Sequence, residues 1–149
     1  MTVLLNFGFS FLSTAAFAII TNIPRRALFA CGLTGAFGWM IFYFSRIVAQ
    51  QNIGYANFLA ALGIGLASIF FSRKMRMPVI LFNIPSLVPL VPGGPAYQAV
   101  RDLMAQNFNQ SLENIAIVLV TSGAIALGFM FSNLAERLLK LTRQNLWHK

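Results

Sequence analysis

Residues 83–97 read NIPSLVPLVPGGPAY, which places four prolines and two glycines within fifteen positions of an otherwise apolar chain. Pro85, Pro89, Pro92 and Pro95 recur three or four residues apart, so in any helical conformation they share a face. Each proline removes an N–H donor and strips the carbonyl four residues earlier of its partner. In hydrocarbon an unpaired main-chain group costs several kcal/mol, so such backbone persists only where protein buries it or where it lines water. The stretch is therefore expected to face a polar cavity or a protein partner, and not lipid.

The rest of the chain supplies the membrane. With 149 residues, 58% hydrophobic and only 9% charged, the composition excludes an ordinary soluble domain. Four apolar runs, at about 3–22, 27–48, 53–72 and 112–134, are each long enough to cross roughly 30 Å of hydrocarbon as a helix. A fifth, 77–91, is shorter and carries the prolines. None alternates with period two, which argues against a transmembrane barrel. The reading is an all-α membrane protein: one domain over 1–149, a bundle of about five transmembrane segments with the fourth broken by Pro and Gly.

The net charge of +8 reports topology. Nucleic-acid binding needs a solvent-facing basic patch, and here the cations lie between oily runs, so no nucleic-acid partner is expected. If five segments alternate, Arg25, Arg26, Arg73, Lys74, Arg76, Arg137, Lys140, Arg143 and Lys149 share one face, leaving Arg46 and Arg101 on the other. The positive-inside rule then puts the N-terminus outside and the C-terminus in the cytoplasm of a multi-pass cell-membrane protein. Residues 1–5 carry no Lys or Arg, so a cleaved signal peptide is not expected despite the small residues STAAFA at 13–18.

Small residues recur at helical spacing. Gly32, Gly35 and Gly38, the pairs Ala61/Gly65 and Gly63/Ala67, and Gly123 with Ala124 and Gly128 read as faces for close helix packing, with Gly63 or Gly65 alternatively lining a pathway. Glu113 reads as a dipole-stabilised charge opening the last segment, or else as a proton carrier. Glu136 reads as a solvated interfacial charge, and Cys31 as a buried inert thiol. His148 and Trp147 read as an interfacial tail. One His, one Cys and three acids offer no catalytic set, metal cluster or cofactor site, so an enzyme is the weakest class.

After Gly93-Gly94-Pro95 comes AYQAVRDLMAQNF, an amphipathic helix with Tyr97, Val100, Met104 and Phe108 on one side. A helix beginning deep in the membrane turns N–H groups and a partial positive charge toward a cavity, which suits a carboxylate. Arg101 adds to that field, and discontinuous helices of this kind mark the sites of secondary transporters. The candidate binding residues are Asn83, Ser86, Pro89, Pro92, Gly93, Gly94, Tyr97 and Arg101. Asn22, Pro24 and Arg26 form a candidate gate or hinge, although Arg25 and Arg26 also suit a purely topogenic role. A proline-kinked helix beside an external loop is the alternative for the whole stretch.

The pattern Pro89-x-x-Pro92-Gly93-x-x-x-Tyr97, with Asn22-x-Pro24-x-Arg26-Ala27-Leu28 far upstream, resembles the threonine/serine exporter family. Within it the chain is similar to the small, YjjB-like subunit, which corresponds to the C-terminal half of single-chain members. The resemblance implies proton-driven export of a small carboxylate metabolite, threonine or serine in some members and succinate-like dicarboxylates in others. It also implies a second membrane subunit. Since the apolar runs of segments one to four hold no Asp, Glu or His, the coupling residue is expected in that partner. A passive channel or pore-forming homo-oligomer, or an assembly subunit with no pathway, are the competing classes.

Overall fold

The computed structural model describes residues 2–147, with side chains over 3–138. His148 and Lys149, and the side chains of Lys140, Arg143 and Trp147, lie outside the described residues. Among the described residues all regular structure is helical: α1 (Thr2–Ile20), α2 (Arg25–Tyr43), α3 (Ile53–Met75), α4 (Ile80–Ser86), α5 (Gly93–Met104) and α6 (Phe108–Trp147). A wider π-helical turn, Phe44–Val48, continues α2. The all-α reading is met, and α1, α2, α3 and α6 are long and apolar enough to span a membrane. The remaining segment is the broken one, divided into α4, a turn and α5.

Local chemistry sets the joints. Between α1 and α2, Asn22 takes the left-handed conformation at φ 56°, which a short polar side chain tolerates, and Pro24 precedes the first turn of α2. Asn52 caps α3 by accepting from the Gly54 N–H at 3.3 Å. At the other end of α3, Arg76 is left-handed at φ 53° and closes the helix.

Small residues then decide who touches whom. A Cβ on Gly32 or Gly35 would strike Phe11 or Thr14, so this side of α2 lies against α1, and the four residues between Ile20 and Arg25 leave room only for an antiparallel pair. Gly38 abuts Ile64 and Gly63 abuts Ile41, which seats α3 antiparallel to α2. Gly54 faces Val120, Gly128 faces Ala61 and Gly65 faces Ser132. Those three matches rise together along both helices, so α3 and α6 run parallel. Two parallel neighbours require the intervening chain to return across the bundle, and residues 76–107 make that crossing.

The same register fixes the ends. Arg25 and Arg26 in the first turn of α2, Arg73, Lys74 and Arg76 at the close of α3, and Arg137 on α6 gather at one basic end. Arg46 lies at the far end, where its guanidinium donates to the Gln51 carbonyl at 2.8 Å. With Gly54 level with Val120, the first twelve residues of α6 extend about 18 Å beyond the start of α3 at 1.5 Å per residue. There α5 folds back along α6 as a hairpin.

Three expectations need correction. Gly123 meets nothing within 4 Å, so it is no packing residue, whereas Gly128 is. Glu113 does not open α6, which starts at Phe108 because its polar first turns, invisible to hydropathy, are also helical. Glu136 is not a free solvated charge: its side chain is 17% exposed and pairs with Arg73 at 3.6 Å, tying α6 to α3.

Candidate functional site

The broken segment begins inside the bundle. Helix α4 rises from the basic end among α1, α2 and α3, with Phe82, Pro85 and Ser86 buried. Phe82 joins Ala18, Ile23, Ala27, Ala30, Cys31 and Met77 in one apolar cluster and stacks on Phe71 at 6.3 Å. Higher up, Leu90 packs with Ala60, Ala61, Ile64 and Ile125 in a second cluster. Protein therefore covers one side of the chain from 82 to 90, while Ile84 faces outward at 47% exposure.

Proline leaves carbonyls to be satisfied, and the protein answers three of them. Pro85 strips Leu81 O of its helical donor, and the Cys31 thiol donates to that oxygen at 3.4 Å. Cys31 is thus a buried thiol, as expected, and also a structural partner of the kink. Ser86 Oγ returns the favour, donating to the Cys31 carbonyl at 3.3 Å. The Pro85 carbonyl, stripped by Pro89, accepts from the Val88 N–H at 3.2 Å, and the Val91 carbonyl, stripped by Pro95, accepts from the Gly93 N–H at 2.8 Å. The fourth, the Val88 carbonyl stripped by Pro92, has no such donor among the described residues, and the Asn83 side chain adds a buried acceptor, Oδ1, that also lacks one. A buried acceptor in that condition calls for water or solute.

Beside the turn lies an open, mainly apolar groove that carries a few polar groups. Pro89 and Trp39 with Asn6, Phe9, Ser10 and Ser13 line a groove of about 330 Å³ between α1, α2 and the 87–91 turn. The Trp39 indole donates to Asn6 Oδ1 at 3.3 Å, and Ser10 is 6% exposed. Asn6, Ser10 and Ser13 were not singled out in the sequence. Their spacing of four and three residues, which puts them on one face of an otherwise oily helix, is the signal that finds them.

Helix α5 does not begin deep among the spanning helices as expected: it opens at the far end and packs on the part of α6 that extends past the start of α3. The Gly93 and Ala96 N–H groups are taken by the Val91 and Pro92 carbonyls, and Pro95 has none, which leaves Gly94 to supply the first turn's open donor. Gly93 and Gly94 are exposed, and space for a Cβ is free at both. Neither has a positive φ, so backbone strain does not demand glycine here; open approach to the main chain is what it provides.

The amphipathic helix is turned outward. It ends at Met104, so Phe108, expected on its apolar side, opens α6 instead; Tyr97, Val100, Leu103 and Met104 are exposed, and the face that rests on α6 is Ala99 with Asp102. Ser111 Oγ donates to the Ala99 carbonyl at 2.8 Å, and Asn114 Nδ2 donates to Asp102 Oδ2 at 3.2 Å. Arg101 reaches the other oxygen, with Nε at 3.3 Å and Nη2 at 3.1 Å from Asp102 Oδ1. The anion-attracting charge expected of Arg101 is thus matched by a neighbouring carboxylate.

The candidate residues accordingly separate into groups. Asn83 and Ser86 lie inside the bundle on α4, Pro89 at the groove, and Pro92, Gly93, Gly94, Tyr97 and Arg101 along the far-end hairpin. Asn22, Pro24 and Arg26 are exposed at the basic end, in the α1–α2 turn.

A family model, threonine/serine exporter ThrE, matches residues 6–135. The chain belongs to the threonine/serine exporter family. The match spans the α1–α2 turn, all of the proline-broken segment and the membrane-spanning part of α6, so both motifs lie within it. Membership makes this a membrane exporter and points to a transporter rather than an enzyme. No solved structure matches the chain. Asp102, buried against an exporter-family hairpin beside the arginine, was given no role in the sequence reading. An acid on the side of α5 opposite the apolar stripe was the available clue.

Proposed function

We propose that this chain is one half of a secondary-active exporter for small carboxylate metabolites, threonine or serine before dicarboxylates, driven by the proton gradient and completed by a second membrane subunit. The observation that carries this reading is the proline-broken crossing from α4 to α5. Neighbours satisfy its stripped carbonyls at Leu81, Pro85 and Val91, it adjoins a groove at Pro89 that carries Asn6, Ser10 and Ser13, and it emerges at two glycines with open space around them. Irregular backbone of that kind is stable in a membrane when protein and water share it, and it is the architecture from which transporters build midplane sites.

In this reading the basic end is cytoplasmic, as the gathered Arg and Lys residues favour, and the far end with its hairpin is external in the cell membrane. A solute enters past Arg26 and the α1–α2 turn, meets the open Asn83 acceptor and the Ser10–Asn6 groove, and leaves past Gly93, Gly94 and Arg101. Tyr97, one turn before Arg101 on α5, lines the exit. The outward apolar stripe of α5 is available to the second subunit.

The test is flux in inverted membrane vesicles bearing the chain with the membrane protein that copurifies with it. Uphill movement of labelled L-threonine on imposing a proton gradient supports the exporter. Gradient-independent leakage of unrelated solutes would instead establish a channel. Thiol labelling of single cysteines at positions 2 and 149 checks the orientation: labelling from outside at 149 would reverse it.

A further inference from the structure

The Arg101–Asp102 pair is the one ion pair in the described residues that stands beside the open end of the crossing. Asp102 is 5% exposed overall, yet its arginine partner is 61% exposed at the side chain and donates only to Asp102. The edge it uses, Nε with Nη2, is the fork that would otherwise grip a carboxylate bidentately. The carboxylate is more firmly built in, because Asn114 on α6 fixes Oδ2. One partner is therefore anchored and the other can swing, with solvent on the swinging side.

We propose that this pair receives the two charged groups of a zwitterionic amino acid and that Asp102 is where proton and solute compete. This rests on the exporter reading above and adds a coupling residue within this chain, where the partner was expected to hold it. Arg101 swings from Asp102 to the solute's α-carboxylate, and Asp102 Oδ1, vacated, accepts from the α-ammonium. Two ion partners are exchanged for two others, so no charge is left bare. A proton arriving from the external water binds the same Oδ1, since Oδ2 is held by Asn114. The neutral carboxyl no longer holds the ammonium, and the solute is released. Proton and solute are mutually exclusive at one oxygen, as exchange in opposite directions requires.

The other groups bear little on this switch. Helix α5 packs on α6, and the further titratable or charged groups on α5 and the facing turns of α6 are Tyr97 and Glu113, both exposed. Neither is among the hydrogen-bond partners of Asp102.

The experiment compares L-serine with glycerate, which replaces the ammonium by a hydroxyl, as ligands of the purified complex. The wild type should bind serine at least about tenfold tighter than glycerate, because a site built for a charged donor rejects the analogue lacking it, and serine should weaken as pH falls. In Asp102→Asn the preference and its pH dependence should vanish, while glycerate binds no worse because Arg101 has lost its competitor. Asp102→Glu should restore both in part, and Arg101→Gln should weaken both ligands. Retained preference and pH dependence in Asp102→Asn would overturn the proposal, as would loss of glycerate binding in that variant. A wild type that binds serine in this pattern yet moves it only downhill would count against the proton-driven reading and leave the site standing.

Discussion

Replacing Gly128 by alanine tests the parallel α3–α6 contact on which the whole crossing depends. A Cβ there would stand 2.7 Å from both the Ala61 Cβ and the Phe58 carbonyl oxygen, and 3.0 Å from the Leu62 nitrogen. Two of those neighbours are main chain, so relief requires α3 and α6 to separate by about 0.7 Å to reach ordinary contact near 3.4 Å. Overpacking of this kind costs about 1–3 kcal/mol. Alanine also brings a helix-propensity gain of about 1 kcal/mol, which would blur a single measurement. Gly123, five residues earlier on α6 with open space around it, supplies the control, because Gly123→Ala receives the same gain without the clash. The difference between the two variants isolates the contact and should be about 1–3 kcal/mol, with Gly123→Ala the more stable. Cys31 is the chain's single cysteine and is buried, so a thiol-reactive dye reports thermal unfolding in detergent without further labelling. Equal melting of the two variants, or a higher midpoint for Gly128→Ala, would refute the α3–α6 register and with it the inferred crossing.

Three other outcomes are expected. Cys31→Ala leaves Leu81 O without its donor at the Pro85 kink and should cost about 1–3 kcal/mol, whereas Cys31→Ser, which keeps a hydroxyl donor, should recover much of that loss in the same thermal assay in a dye-independent readout such as circular dichroism. Gly93→Val meets no neighbour, so membrane insertion and melting should stay unchanged while threonine flux falls; unchanged flux would remove Gly93 from the path. Arg73→Ala breaks an ion pair whose arginine is 47% exposed, and should cost under about 1 kcal/mol, less still in high salt.

Hydropathy located the four long helices because apolar length is what a bilayer selects. It saw only the oily part of α6, however, and placed its start at 112 instead of Phe108. Glycine spacing was informative where it met a partner: Gly32, Gly35, Gly38, Gly63, Gly65 and Gly128 all abut a side chain or main chain of a neighbouring helix. It misled at Gly123, since spacing along one helix cannot say which stripe a neighbour covers. The break at 85–95 was legible from proline chemistry, while the thiol that satisfies Leu81 O was not, because Cys31 lies fifty residues away. The orientation of α5 was illegible for a related reason. A stripe of Tyr97, Val100 and Met104 marks an apolar face, but lipid, a partner or the protein's own core can each cover it, and here the small and acidic side took the interior. That reversal is also why Asp102 escaped notice.

The thiol at the Pro85 bend carries a mechanical implication. Sulfur is among the feeblest donors a side chain offers, worth about half an amide bond or less, and it latches the place where Pro85 strips α4 of a helical bond. The bend is thus tied to α2 by this weak donor together with the Ser86 hydroxyl on the Cys31 carbonyl, so whatever shifts α2 at that depth also shifts the foot of the crossing.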